Sequence, residues 1–154
     1  MAHPLHAGPG LQVQRQRRMA RILVIEDNGE VRALWVLALS LGGHEVIEAA
    51  DGREGLDRLR RLHPRVVLTD LNLPGVHGLE IIRQLREERP DIAVVAASGN
   101  AEDLEVARRL GVAAALAKPV DTRRLIASIA QAVHGQPASA TSDASPCPCS
   151  PGPA

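Results

Sequence analysis

Val66-Val67-Leu68-Thr69-Asp70 is a short, nearly continuous apolar run that stops on a carboxylate. Three other runs follow the same rule. Ile22-Leu23-Val24-Ile25 stops on Glu26-Asp27. Ile92-Ala93-Val94-Val95-Ala96-Ala97 stops on Ser98, and Ala113-Ala114-Ala115-Leu116-Ala117 stops on Lys118-Pro119. Runs of this length and character fit strands buried on both faces, as in a parallel sheet with helices on either side. Each ends on a side chain suited to phosphate or metal chemistry. Of the chain's 18 lysines and arginines, Lys118 is the only lysine. A composition that uses arginine everywhere else points to a need for a compact ammonium at this one place.

Working outward, short strand-like runs alternate with helical patterns, which predicts βαβ units and a doubly wound α/β fold. Strands are predicted near 21–26, 45–48, 65–69, 92–97 and 113–116. Helices are predicted near 29–41, 52–62, 77–88, 101–110 and 121–133. Asp51 is placed to cap the second helix, Gly111 to end the fourth, and Asp121 or Thr122 to open the fifth. In the first helix, Val31, Leu34, Trp35, Ala38 and Leu39 form the predicted core-facing set. Its opposite side then presents Ala33, Val36, Leu37 and Leu41. A free helix surface is normally polar, so this apolar stripe is a candidate partner site.

Residues 19–134 are read as one domain between two tails. Residues 1–18 show no periodicity, and Met19, just before the first strand, is a candidate true start. Residues 135–154 are rich in Pro, Ser and Ala; both tails read as disordered. Arg15, Arg17 and Arg18 read as solvated charge rather than a docking arm. Cys147 and Cys149 have no nearby His and make a poor metal site. With both cysteines in the tail, the domain is expected to lack a disulfide, which suits a reducing cytoplasm. The N-terminus lacks the apolar stretch of a secretory signal, and no run approaches the roughly 18 residues of a membrane helix. Formal net charge is zero and Trp35 is the only aromatic residue. These features give no basis for a nucleic-acid or membrane partner.

In an open parallel α/β sheet, ligands gather at the carboxyl ends of the strands. Glu26, Asp27, Asp70, Ser98 and Lys118 all fall there. Three carboxylates crowded together repel unless a partner is present. A hard divalent cation with oxygen ligands resolves the repulsion, and Mg²⁺ is the usual choice beside phosphate. Asp70 then becomes a carboxylate that can attack phosphorus and form an aspartyl-phosphate. Lys118 supplies charge for the equatorial phosphoryl oxygens, and the Ser98 hydroxyl supplies a hydrogen bond.

About residues 20–134 resemble the receiver domains of two-component response regulators. The resemblance rests on Glu26-Asp27, on Asp70-Leu71-Asn72-Leu73-Pro74-Gly75-Val76-His77-Gly78, on Ser98-Gly99 and on Lys118-Pro119, in that order. Each short motif is weak alone; the ordered set at strand ends is specific. It implies a flavodoxin-like sheet of five parallel strands in order 2-1-3-4-5 with five helices. It implies that Asp70 is the phosphoacceptor and that Ser98 and Lys118 contact the phosphoryl group. Asp27 and Asp70 are implied as direct Mg²⁺ ligands, with Glu26 acting through water and the Asn72 backbone carbonyl completing the set. The implied partner is a histidine kinase or histidine phosphotransfer protein, docking through the first helix at Val36, Leu37 and Leu41.

The resulting expectation is a stand-alone receiver in a cytoplasmic phosphorelay. It accepts and slowly loses phosphate but is not otherwise an enzyme, and about 20 residues after 134 are too few for an output domain. Terminal output and relay shuttle remain alternatives. So does a receiver-fold interaction protein that ignores phosphorylation. A metal-dependent phosphatase is disfavoured because Asn72 stands where such enzymes carry a second acid. Four positions depart from the family pattern: Ala115 and Val120 replace aromatic residues, His77 an Asp, and Gly29 a Pro. Without an aromatic at 115, no large ring can swing between exposed and buried positions.

Overall fold

The computed structural model describes residues 19–135. The expectations for residues 1–18 and for the tail that follows lie outside the described residues. Ten elements alternate strictly: β1 (Arg21–Ile25), α1 (Gly29–Leu41), β2 (Glu45–Ala49), α2 (Gly52–Leu62), β3 (Val66–Asp70), α3 (Gly78–Glu88), β4 (Ala93–Ser98), α4 (Ala101–Arg109), β5 (Ala114–Ala117) and α5 (Thr122–His134). All five strands are parallel, in the order β2-β1-β3-β4-β5. The sequence periodicity places every element to within about two residues.

The three central strands are apolar along their length because both their faces are covered. On β1, Ile22 and Val24 face one layer while Leu23 and Ile25 face the other. The first layer is built by Trp35 and Leu39 of α1 with Leu125, Ile129, Ala132 and Val133 of α5. The second is built by Leu59 of α2, Ile81, Ile82 and Leu85 of α3, and Leu104 and Ala107 of α4. Side chains alternate along a strand, so one run of apolar residues supplies two cores. Removing this surface from water is the main favourable term in folding.

Polar side chains start four of the helices. Asn28 accepts from the N–H groups of Glu30 and Val31, Asp51 from Glu54, Asn100 from Glu102, and Asp121 from Arg123. Each satisfies helix N–H groups that have no partner within the helix. The exception is α3, where His77 caps with no side-chain hydrogen bond. At the other end of α4, Gly111 has a φ of +81°, the left-handed conformation that suits glycine after a helix.

The two faces of α1 differ from the sequence expectation at two positions. Leu34, expected inside, is 52% exposed, whereas Val36, expected outside, is half-buried against the core. The cause is where the helix lies. It packs on β2 as well as β1, so the side carrying Val36 meets the layer that also holds Val46. The exposed apolar stripe is therefore Leu34, Leu37 and Leu41, spaced three and four residues apart along one side of the helix.

Candidate functional site

The register of the sheet assembles the site before any side chain is considered. Asp70 is opposite Ala97, the neighbour of Ser98, and Ser98 is opposite Ala117, the neighbour of Lys118. The Lys118 N–H donates to the Ser98 carbonyl at 2.9 Å, and the Leu71 N–H donates to the Ala97 carbonyl at 2.9 Å. On the other side of β3, the Glu26 N–H donates to the Ala49 carbonyl at 3.2 Å and continues the β1–β2 ladder. The ends of β1, β3, β4 and β5 thus present their polar residues to one spot.

Glu26, Asp70 and Ser98 are buried there, and Asp27 is exposed at the rim. The Lys118 Nζ lies 2.7 Å from Glu26 Oε2 and 3.0 Å from Asp70 Oδ2, so one ammonium bridges two buried carboxylates. Their remaining oxygens are held by backbone donors. The Asn28 N–H donates to Glu26 Oε1 at 3.1 Å, and the Asn72 N–H donates to Asp70 Oδ1 at 3.1 Å. The Asn100 N–H donates to Ser98 Oγ at 3.0 Å, which leaves the hydroxyl proton available to another acceptor.

Electrostatics follow from this burial. Desolvation raises the Glu26 carboxyl pKa and nearby Asp70 adds to the rise; the Lys118 ammonium and the Asn28 N–H oppose it but do not cancel it. For Lys118, burial is the largest single influence and disfavours its charge. The hydrogen bonds and attraction of Glu26 and Asp70 together outweigh it, so the Lys118 pKa is raised. Lys118 therefore remains an ammonium at neutral pH.

Glu26, Asp27 and Asp70 each offer a carboxylate oxygen, and these atoms lie within 4.8 Å of one another. The set is all oxygen, charged, and open to water on the Asp27 side. It fits a hard divalent cation such as Mg²⁺, which takes few protein ligands and keeps several waters.

Every site residue named from the sequence lies in or at the rim of this cluster. Four contacts that build the site were not legible there. The Arg32 guanidinium donates to the Glu26 carbonyl at 2.8 Å, and the Thr69 hydroxyl to the Asp70 carbonyl at 2.9 Å. Gly78 packs against the Asp70 and Leu71 backbone so closely that a Cβ there would collide with both. Trp35, read only as a core residue, has its ring centroid 5.4 Å from the Lys118 Nζ.

The profile of the response regulator receiver domain matches residues 22–130. The chain is 35% identical over 112 residues to the transcriptional regulatory protein AfsQ1 of Streptomyces coelicolor, covering 72% of this chain and 50% of that protein. It is 31% identical over 121 residues to protein PilH of Pseudomonas aeruginosa, covering 76% of this chain and 100% of that protein. Of three larger curated relatives, AfsQ1 among them, this chain spans about half the length, from 46% to 57%. A crystal structure of a receiver domain protein from Clostridium thermocellum superposes with a TM-score of 0.72 at 29% identity, covering 75% of this chain and 95% of that one. The sheet order, the acidic cluster and these matches agree: the chain belongs to the response regulator receiver domains, the phosphoryl-accepting modules of two-component signalling.

Proposed function

We propose that Asp70 accepts the phosphoryl group, that Ser98 and Lys118 bind its oxygens, and that Glu26, Asp27, Asp70 and the Asn72 backbone carbonyl hold Mg²⁺. The observation that carries this reading is the Lys118 ammonium bridging Glu26 and Asp70 at the strand ends. An Asp70 carboxylate oxygen forms the new O–P bond as the bond from phosphorus to the donor breaks. The donor is a histidine of a kinase or phosphotransfer protein, or a small phosphodonor. The ammonium that now rests on Asp70 turns to the phosphoryl oxygens, and the Ser98 hydroxyl donates to another. When bound, the divalent cation neutralises charge on the transferring group.

The metal assignment is tested by removal. Labelling by a small phosphodonor should stop in excess chelator; equal labelling with chelator would mean the site is misread. Asp27→Asn relieves repulsion in the metal-free cluster and should raise stability by about 1 kcal/mol without Mg²⁺. Saturating Mg²⁺ should stabilise the wild type, by about 2.7 kcal/mol at a hundred times Kd. It should not stabilise the variant. Thermal melts with and without the ion read both effects.

The chain acts as a stand-alone receiver in the cytoplasm, a reading supported by its match to PilH over that protein's whole length. Among the described residues, no helix is long and apolar enough to cross a membrane. Its partner is a histidine kinase or histidine phosphotransfer protein that docks on α1. That face carries Leu37 at 57% and Leu41 at 77% exposure, on the helix that leaves the acidic pair. Replacing both leucines with Glu should slow transfer from the partner about tenfold or more, the scale of losing a hydrophobic anchor. Charge reversal at Arg123 and Arg124 on α5 should do less, and labelling by a small donor should barely change in either variant. Full transfer in the leucine variant with loss in the arginine variant would move the interface to the other face. A phosphorylation-independent role draws its support from Ala115 and Val120. Equal partner capture with and without beryllofluoride would favour it.

A further inference from the structure

We infer that Trp35 is a positioning residue for Lys118: its indole face holds the ammonium at the mouth of the acidic cluster while the carboxylates are engaged elsewhere. The inference rests on the reading of Lys118 as the group that meets the phosphoryl oxygens. Trp35 is the only aromatic residue in the chain and is 3% exposed, seated on the helix that leaves the Glu26–Asp27 pair. The Lys118 Nζ lies over its ring at 5.4 Å from the centroid, inside the range where the ring quadrupole attracts a cation. The same ammonium touches Glu26 and Asp70. Those two anchors are carboxylates that a divalent cation also needs.

Once Glu26 and Asp70 turn toward such an ion, Lys118 loses its ion pairs and faces like charge. A carboxylate in place of Trp35 would compete for the metal, and an aliphatic residue would offer the ammonium nothing. The indole attracts the ammonium and cannot serve as an oxygen ligand. The surroundings supply no substitute. A cavity of about 430 Å³ borders Lys118 on this side, lined by Val31, Leu34, Trp35, Pro119 and Val120 together with Lys118 itself. Its other walls are aliphatic, so an ammonium released from the carboxylates has the indole face or open water.

Two measurements test the inference. The first is the rate of labelling by a small phosphodonor with Mg²⁺. Trp35→Leu should slow it about five- to tenfold, the effect of losing a partly desolvated cation–π attraction. Trp35→Phe, which keeps an aromatic face, should recover most of the rate. Equal rates in wild type and Trp35→Leu would overturn the proposal, and so would equal loss in the Phe and Leu variants, which would mark a packing role. The second does not depend on activity or on a Trp35 variant that folds. A positive charge over an indole changes its emission, so Lys118→Met should alter Trp35 fluorescence. The alteration should persist at saturating Mg²⁺. If it disappears when the metal is added, Lys118 leaves the ring and the proposal fails. If the wild type takes up no phosphate at all, the functional reading fails, whereas the fluorescence outcome still decides whether the indole holds Lys118.

Discussion

Asp70→Asn should abolish phosphate incorporation. The wild type, given a small phosphodonor and Mg²⁺, is expected to gain one phosphate that survives acid and is lost in base, as an acyl phosphate is. The Asn side chain keeps the size of Asp but removes the anionic oxygen that attacks phosphorus. A loss of at least about a thousandfold is expected, equivalent to about 4 kcal/mol of barrier. The fold should survive, because Lys118 keeps its 2.7 Å contact with Glu26 and β3 is tied into the sheet on both sides. Intact-mass measurement reads the labelling and far-ultraviolet circular dichroism the fold. A folded variant that labels at the wild-type rate would remove Asp70 from the role.

Gly78→Ala should destabilise the protein by about 2–3 kcal/mol, lowering Tm by about 10 °C. Propensity alone predicts the opposite, since Ala is favoured over Gly in helices by up to about 1 kcal/mol. Packing decides. A Cβ at Gly78 would lie 2.6 Å from the Leu71 Cα and closer still to the Asp70 carbonyl oxygen. The obstacle is backbone, which cannot rotate away, and the Gly78 N–H donates to the Leu71 carbonyl at 3.2 Å. The start of α3 would have to lift from the end of β3 and carry the acceptor loop with it. Gly99→Ala is the matched control beside the same site. Its Cβ meets nothing within 4 Å, so stability should change by less than about 0.5 kcal/mol. A neutral Gly78→Ala in thermal and urea melts would refute the packing account.

The strands were legible because burial on both faces writes an unmistakable run, as in Val66–Leu68. The site was legible because its residues close those runs. What escaped were relations between distant segments. Gly78 closes the Asp70 motif and falls inside the predicted third helix, but its close approach to the β3 backbone shows only once α3 is seen against β3. Trp35 reads as core from its helical spacing, and that is correct; its contact with Lys118 depends on where β5 ends beside α1. Leu34 and Val36 lie on opposite flanks of the predicted core stripe. Apolar periodicity cannot rank two flanks, because the choice is made by which strands the helix covers. The helix packs on β2 as well as β1 and buries the Val36 side. The strand order came from the family resemblance, since alternation of β and α fixes parallel pairing but not which strand sits at the centre.

Because Lys118 is the sole lysine, it holds the only side-chain amine of the chain. Electrophiles that seek amines, acyl phosphates among them, have one side-chain target, and it touches Asp70, the proposed phosphoacceptor. Glu26 and Asp70 hold the amine protonated, and a protonated amine is no nucleophile. The two ion pairs of Lys118 thus also shield it from acyl transfer. Stripped of both partners, the half-buried amine would hold its proton less tightly and be easier to cap.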